Sequence, residues 1–112
     1  MIASDIIRKR GDTYPIEVSI LKENGSPLDL TGACDFYLGV AASEEINAPD
    51  VPALVLSGSA AGDPGMVSFT LSSEEALSVA PGDYFAEIQF AQNGYVITTR
   101  TFRYKVKGQI VG

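Results

Sequence analysis

Residues 80–100 read APGDYFAEIQFAQNGYVITTR, and the signals that decide the fold lie within them. From Tyr84 to Phe90 the chain alternates, with Tyr84, Ala86, Ile88 and Phe90 on one face and Phe85, Glu87 and Gln89 on the other. A period of two marks a strand with one face against a core. Asn93 and Gly94 supply the positive φ angles of a tight hairpin turn, so the chain from Tyr95 folds back as a second strand. Upstream, Ser72 can cap a helix with Glu75 three residues on, which predicts a short helical turn near residues 73–79. Pro81 and Gly82 end that turn and send the chain into the Tyr84 strand.

The alternation recurs on either side. In YPIEVSIL, Ile16, Val18 and Ile20 share a face; in ACDFYLGVA, Cys34, Phe36, Leu38 and Val40 do; in MVSFTL, Val67, Phe69 and Leu71 do. The run ALVLSG reads as a strand at a sheet edge. The last strand, YVITTRTFRYKVKG, sets Phe102, Tyr104 and Val106 against Arg103, Lys105 and Lys107. Between these runs KENGSP and AAGDPG are turns. ASEEINAPDVPA, residues 42–53, carries Pro49 and Pro52 among acidic residues and reads as a long loop.

About seven short strands and one helical turn make the chain an all-β protein, an antiparallel β-sandwich in preference to a small barrel. A helical turn, a Pro81–Gly82 corner and a tyrosine opening a strand resemble the tyrosine corner of immunoglobulin-like sandwiches. That resemblance implies that the Tyr84 hydroxyl bonds a backbone group just upstream. At 112 residues the expectation is a single immunoglobulin-like domain over residues 1–112.

Composition narrows the chemistry. There is no histidine, which removes the commonest general base and metal ligand together. Glu44 with Glu45 and Glu74 with Glu75 are adjacent carboxylates without the spacing of a calcium loop. GDPG lacks the lysine of a phosphate-binding loop. No catalytic, metal or cofactor site is therefore expected, and the chain reads as non-enzymatic. Cys34, the single cysteine, reads as a small buried hydrophobe. No apolar run is long enough to cross a bilayer, and charge arrives before a signal-peptide core could form. Asn24-Gly25-Ser26 matches a glycosylation acceptor but is explained by its turn.

Net charge is −6, yet all bases lie in residues 8–22 and 100–107, while acids fill the middle. If the first and last strands are neighbours, Arg8, Lys9, Arg10, Arg100, Arg103, Lys105 and Lys107 form a basic edge, a candidate interaction surface. The loop bearing Glu44, Glu45 and Asp50 is a candidate acidic counterpart, and such a split suits contact between copies. Nucleic acid is not the expected partner: the overall charge is acidic, and Phe102 and Tyr104 fall on the core side. Arg10-Gly11-Asp12, an integrin-type tripeptide, abuts a core strand and reads as a bend that Gly11 permits.

Taken in order, RGDTYPIEVSILKENGSPLDLTGA, GMVSFTLSSEEAL, APGDYFAEIQF and TTRTFRYKVKGQIV resemble small bacteriophage and prophage virion proteins. They are similar to the N-terminal immunoglobulin-like domain of phage baseplate upper proteins and to related tail and head-decoration modules. The resemblance implies a structural module that docks to other virion proteins or to copies of itself, assembled in the bacterial cytoplasm. The alternative is a carbohydrate- or cell-surface-binding sandwich, for which Tyr37, Phe85 and Tyr95 are the aromatics off the inferred core faces.

Overall fold

Strands form where the alternation lies, and the computed structural model describes them over residues 1–42 and 54–108. In chain order the elements are β1 (Ile2–Ala3), β2 (Ile6–Lys9), β3 (Ile16–Leu21), β4 (Cys34–Ala41) and β5 (Leu54–Ala60). They continue with β6 (Met66–Phe69), α1 (Ser73–Ser78), β7 (Gly82–Gln92), β8 (Tyr95–Thr98) and β9 (Phe102–Lys107). The nine strands follow seven paths, because the first path is broken into β1 and β2 and the last into β8 and β9.

Pairing runs continuously through β1-β3-β6-β5-β4-β7-β9-β2, with β8 beside β7. The path doubles over at β5, which pairs with β4 from Leu54 to Gly58 and with β6 from Gly58 to Ala60. The result is an all-β, immunoglobulin-like sandwich. ALVLSG is thus no edge strand: Leu54 and Leu56 are buried, and its backbone is shared between both layers. The fold is also not wholly antiparallel, since β2 runs parallel to β9, with Ile6 opposite Tyr104 and Lys9 opposite Lys107.

The inward faces meet in one hydrophobic cluster. Val18, Ile20, Leu38, Val40, Val67, Phe69 and Ile88 are fully enclosed, and burying each such side chain contributes about 1.5–3 kcal/mol. Phe36 and Phe90 stack with ring centroids 5.4 Å apart. Cys34 does not join them. Asp35 adopts φ 54° and the β4–β7 register slips between Cys34 and Tyr37, so this bulge turns the thiol out to solvent. A second irregularity divides the last strand. Thr99 is buried where β8 ends, its amide donates to the Ile88 carbonyl, and its hydroxyl accepts from the Ile88 amide at 3.1 Å.

Local signals close the connections. The Ser72 hydroxyl accepts from the Glu75 amide at 3.1 Å while the Glu75 carboxylate accepts from the Ser72 amide at 2.9 Å, a complete capping box. Asn93 and Gly94, at φ 53° and 80°, make the β7–β8 hairpin. Asp29 accepts from the Thr31 amide and hydroxyl at 3.0 and 2.7 Å, and the Gln92 amide donates to the Asp29 and Thr31 carbonyls. The turn between β3 and β4 is thereby fastened to the end of β7.

Candidate functional site

The first and last strands are neighbours, but their bases do not form one edge. In β2 the alternation turns Ile6 and Arg8 inward and Ile7 and Lys9 outward. Arg8 is only 5% exposed, a correction to its place on the basic surface. Its Nη2 donates to the carbonyls of Asp12 and Tyr14 at 3.0 and 2.7 Å, and its guanidinium lies 3.9 Å from the Tyr14 ring centroid. Arg10 is committed too: Nε and Nη2 both donate to the Leu77 carbonyl, satisfying the end of α1. Arg100 sits beside the start of the chain, 3.1 Å from Glu23, whose carboxylate also takes the Met1 ammonium. That ammonium bond, aided by the Arg100 charge, holds the Glu23 carboxyl below its ordinary pKa.

What remains is a row of four. Lys9, Arg103, Lys105 and Lys107 share the outer face of β2 and β9, all exposed. Lys9 stands opposite Lys107 in register, Lys105 lies 4.0 Å from Asp83, and Arg103 covers the half-buried Phe85 ring at 5.6 Å. The Arg103 amide is held by Asp5 Oδ1 at 3.0 Å.

Tyr84 Oη donates to the Ala80 carbonyl at 2.7 Å, spanning the Pro81–Gly82 bend by which α1 enters β7. The Arg10-Gly11-Asp12 segment lies against α1: the Gly11 amide donates to the Ala76 carbonyl, and Gly11 takes φ 90°. An Arg10 side chain tied to a helix carbonyl is not displayed as a recognition tip.

The outward face of β5, β4 and β7 has a different character. Tyr37 and Val55 are 44% and 52% exposed, and Phe85 is half-buried. Between them lies Gly39, paired with Val55 on one side and Glu87 on the other. Nothing comes within 4 Å of the place a Gly39 side chain would begin. Gly39 therefore leaves a gap in this face, with Val55 and Glu87 on either side, Tyr37 two residues back along β4, and Phe85 diagonally across on β7 beneath Arg103. Tyr95 and Val96 are exposed on β8, and Phe102 and Tyr104 are buried as their alternation requires. Gly39 is missed by apolar periodicity, which records side chains and is silent where there is none; a glycine inside a strand is the available signal.

Among the described residues no three His, Cys, Asp or Glu side chains gather as a metal site, and no helix is long and apolar enough to cross a membrane. The acidic loop of Glu44, Glu45 and Asp50 lies outside the described residues.

No family model matches the chain, and no curated protein matches it. Solved structures do. An endo-β-1,4-mannanase from Thermotoga petrophila aligns at TM-score 0.54 and 11% identity over 96% of this chain, which spans only 20% of that enzyme. PcoC, a methionine-rich copper resistance protein from Escherichia coli, aligns at TM-score 0.50 and 13% identity over 94% of this chain and 89% of its own. AggA, the major subunit of aggregative adherence fimbriae type I from Escherichia coli, aligns at TM-score 0.31 and 12% identity, over 94% of this chain and 91% of its own. At these identities the first two likenesses speak for the fold alone.

Proposed function

We propose that the chain is a non-catalytic binding module that engages surface carbohydrate through the outer face of β5, β4 and β7. The observation that carries this reading is Gly39. A glycine inside a strand weakens the strand and marks a bulge, a bend, or the close approach of a ligand or another backbone; pairing runs in register through Gly39, and the gap it leaves lies beside the exposed Tyr37 ring. Sugar rings present flat apolar faces to aromatics and hydroxyls to polar groups; the exposed Tyr37 offers the first, and Glu87 and Gln89 the second. A domain of this fold within a mannanase is compatible with such a role.

The test is a glycan array read with three proteins. Wild type is expected to retain a glycan class, Tyr37→Ala to lose it, and Gly39→Val to lose it while remaining as stable as wild type, since the added side chain meets open space. Retention of glycan by a folded Gly39→Val would overturn the reading.

A second reading has its own support. Lys9 and Lys107 face each other in register, and like charges directly opposite cost stability. Together with the sequence resemblance, this favours a virion structural module whose cationic row docks onto an acidic protein. Light scattering across salt concentrations tests the self-assembling form of that reading: association at low salt that Lys107→Glu abolishes supports it, and a monomer throughout counts against it.

A further inference from the structure

β7 gives one edge to β4 and the other to two strands in turn, β9 from Gly82 to Ala86 and β8 from Gln89 to Gln92. Among the described residues β8 pairs with nothing else. Backbone groups of successive strand residues point to alternate edges. The Thr99 amide donates toward β7, to the Ile88 carbonyl, and the Arg100 amide donates the other way, to the Met1 carbonyl. By the same alternation the amides and carbonyls of Val96 and Thr98 point away from β7, and no partner takes them among the described residues.

The side chains of this strand are equally uncovered. Tyr95 and Val96 are the most exposed large hydrophobics among the described residues, at 73% and 70%. Edge strands are ordinarily guarded by lysine, proline or a bulge. β8, which reads YVIT and pairs in regular register, has none of these, whereas β2, where the pairing path ends, carries Lys9. An edge of unpaired amides and carbonyls takes another extended backbone. Between Gln92 and Arg100 the chain bears no charge, so a copy of β8 brought against this edge meets no like charge. On the outer face of β2 and β9 it would meet Lys9 and Lys107.

We propose that two copies of the chain pair β8 to β8, antiparallel about a two-fold axis through Val96. The two Val96 residues then exchange amide-to-carbonyl bonds reciprocally, as an isologous contact requires. Moving the axis to Ile97 would set the copy's Gly94 opposite Arg100, whose amide Met1 already holds. With the axis at Val96, Tyr95 falls opposite the copy's Ile97, an aromatic and β-branched pair of the kind that stabilises neighbouring strands. Ile97 is half-buried in one copy, and this contact would cover it. Four residues a side make a small interface, so the association is weak and reversible. It uses none of the cationic row.

The experiment is nuclear magnetic resonance of the whole chain, amide shifts and translational diffusion together, from micromolar concentration to about 1 mM, the weak end of specific association. About 1 M sodium chloride screens surface charges beyond roughly 3 Å and so silences the cationic row. Diffusion is expected to slow with concentration while shifts concentrate at residues 94–99, and Lys107→Glu should change neither. Val96→Lys sets two like charges opposite each other and is expected to weaken association about tenfold. Tyr95→Ser, on the other face of the strand, is expected to weaken it about threefold, and amide spectra verify that both variants fold. Association that maps to Lys9 and β9, or that survives both β8 variants, would overturn the proposal. So would a monomer at every concentration: slow exchange of its Val96 and Thr98 amides would assign the edge to another segment of the same chain, and fast exchange to a different protein.

Discussion

The two sides of the sandwich are joined by different means. On one side the backbone itself is the join: β5 leaves β4 and continues onto β6 at Gly58, which pairs with Phe36 in one layer and Phe69 in the other. On the other side the first path breaks after Ala3, and its halves go to separate layers, β1 to β3 and β2 to β9. Here the layers are held by side-chain pins, of which Arg8 on the Asp12 and Tyr14 carbonyls is the deepest. A continuous strand leaves no edge, whereas a broken one leaves two. The open side accordingly carries the short strands, the outward Lys9 and the buried Arg8. The difference teaches that the cationic row has collected where the backbone join is missing, and the exposed aromatic face where the sheet is continuous.

The largest effect is expected from breaking the closed side. A side chain on Gly58 would begin 2.5 Å from the Ser68 carbonyl oxygen and 2.7 Å from Phe69 Cε1. The oxygen belongs to the ladder and cannot swing away, so Gly58→Ala should cost about 3 kcal/mol, the upper end for overpacking. Urea unfolding measures it. A loss under about 1 kcal/mol would show that the turn between layers can relax, and Gly39→Val, with open space at the same depth of strand, is the matched control.

Loosening the open side should cost less. Arg8→Met fills similar volume but withdraws the donor from two carbonyls, a loss of about 2 kcal/mol for bonds to a charged group. Hydrogen exchange should speed at residues 10–14 before the β4 and β7 amides respond. Uniform acceleration across the molecule would mean that Arg8 supports the whole core and is no local pin.

These two positions also show how far the fold was legible. Alternation in β3, β4, β6, β7 and β9, the capping box and the Asn93-Gly94 hairpin all declare themselves locally, because each depends on residues within one or two turns of chain. Gly58 and Arg8 depend on partners far away in sequence. A glycine in ALVLSG looks like an edge-strand ending until Phe69 is seen occupying the space of its side chain, and Arg8 looks like surface charge until the period of β2 is anchored to β9. Cys34 misled for a related reason: one inserted residue at the Asp35 bulge shifts the period and reverses which side faces the core. For the candidate surfaces, Tyr37 and Phe85 could be read as outward from alternation, but the open space above Gly39 could not.

Tyr84 pins the crossover from β6 to β7 through α1, and its bond to Ala80 reaches only four residues back. Tyr84→Phe should cost about 1 kcal/mol with the structure otherwise unchanged. A neutral result would show that the ring, packed against the core, and not the hydroxyl, holds the crossover.

The smallest effect concerns the turn between β3 and β4, which is exposed and fastened to Gln92. The Thr31 hydroxyl and amide both donate to the Asp29 carboxylate, and these bonds, helped by the Lys22 charge, hold its pKa below the ordinary aspartate value. A carboxyl whose folded pKa is lowered contributes stability that is present above its unfolded pKa and lost as pH falls through the folded one. The turn is therefore expected to loosen only in acid, below the range where an ordinary aspartate titrates. Carbon-detected titration of Asp29 measures the midpoint directly, and Thr31→Val, which removes the hydroxyl donor and keeps the shape, should move it back up toward the ordinary value. An Asp29 midpoint that stays put in Thr31→Val would assign the shift to the backbone amide alone, and would leave the turn fastened to β7 by the Gln92 bonds without help from the side chains inside it.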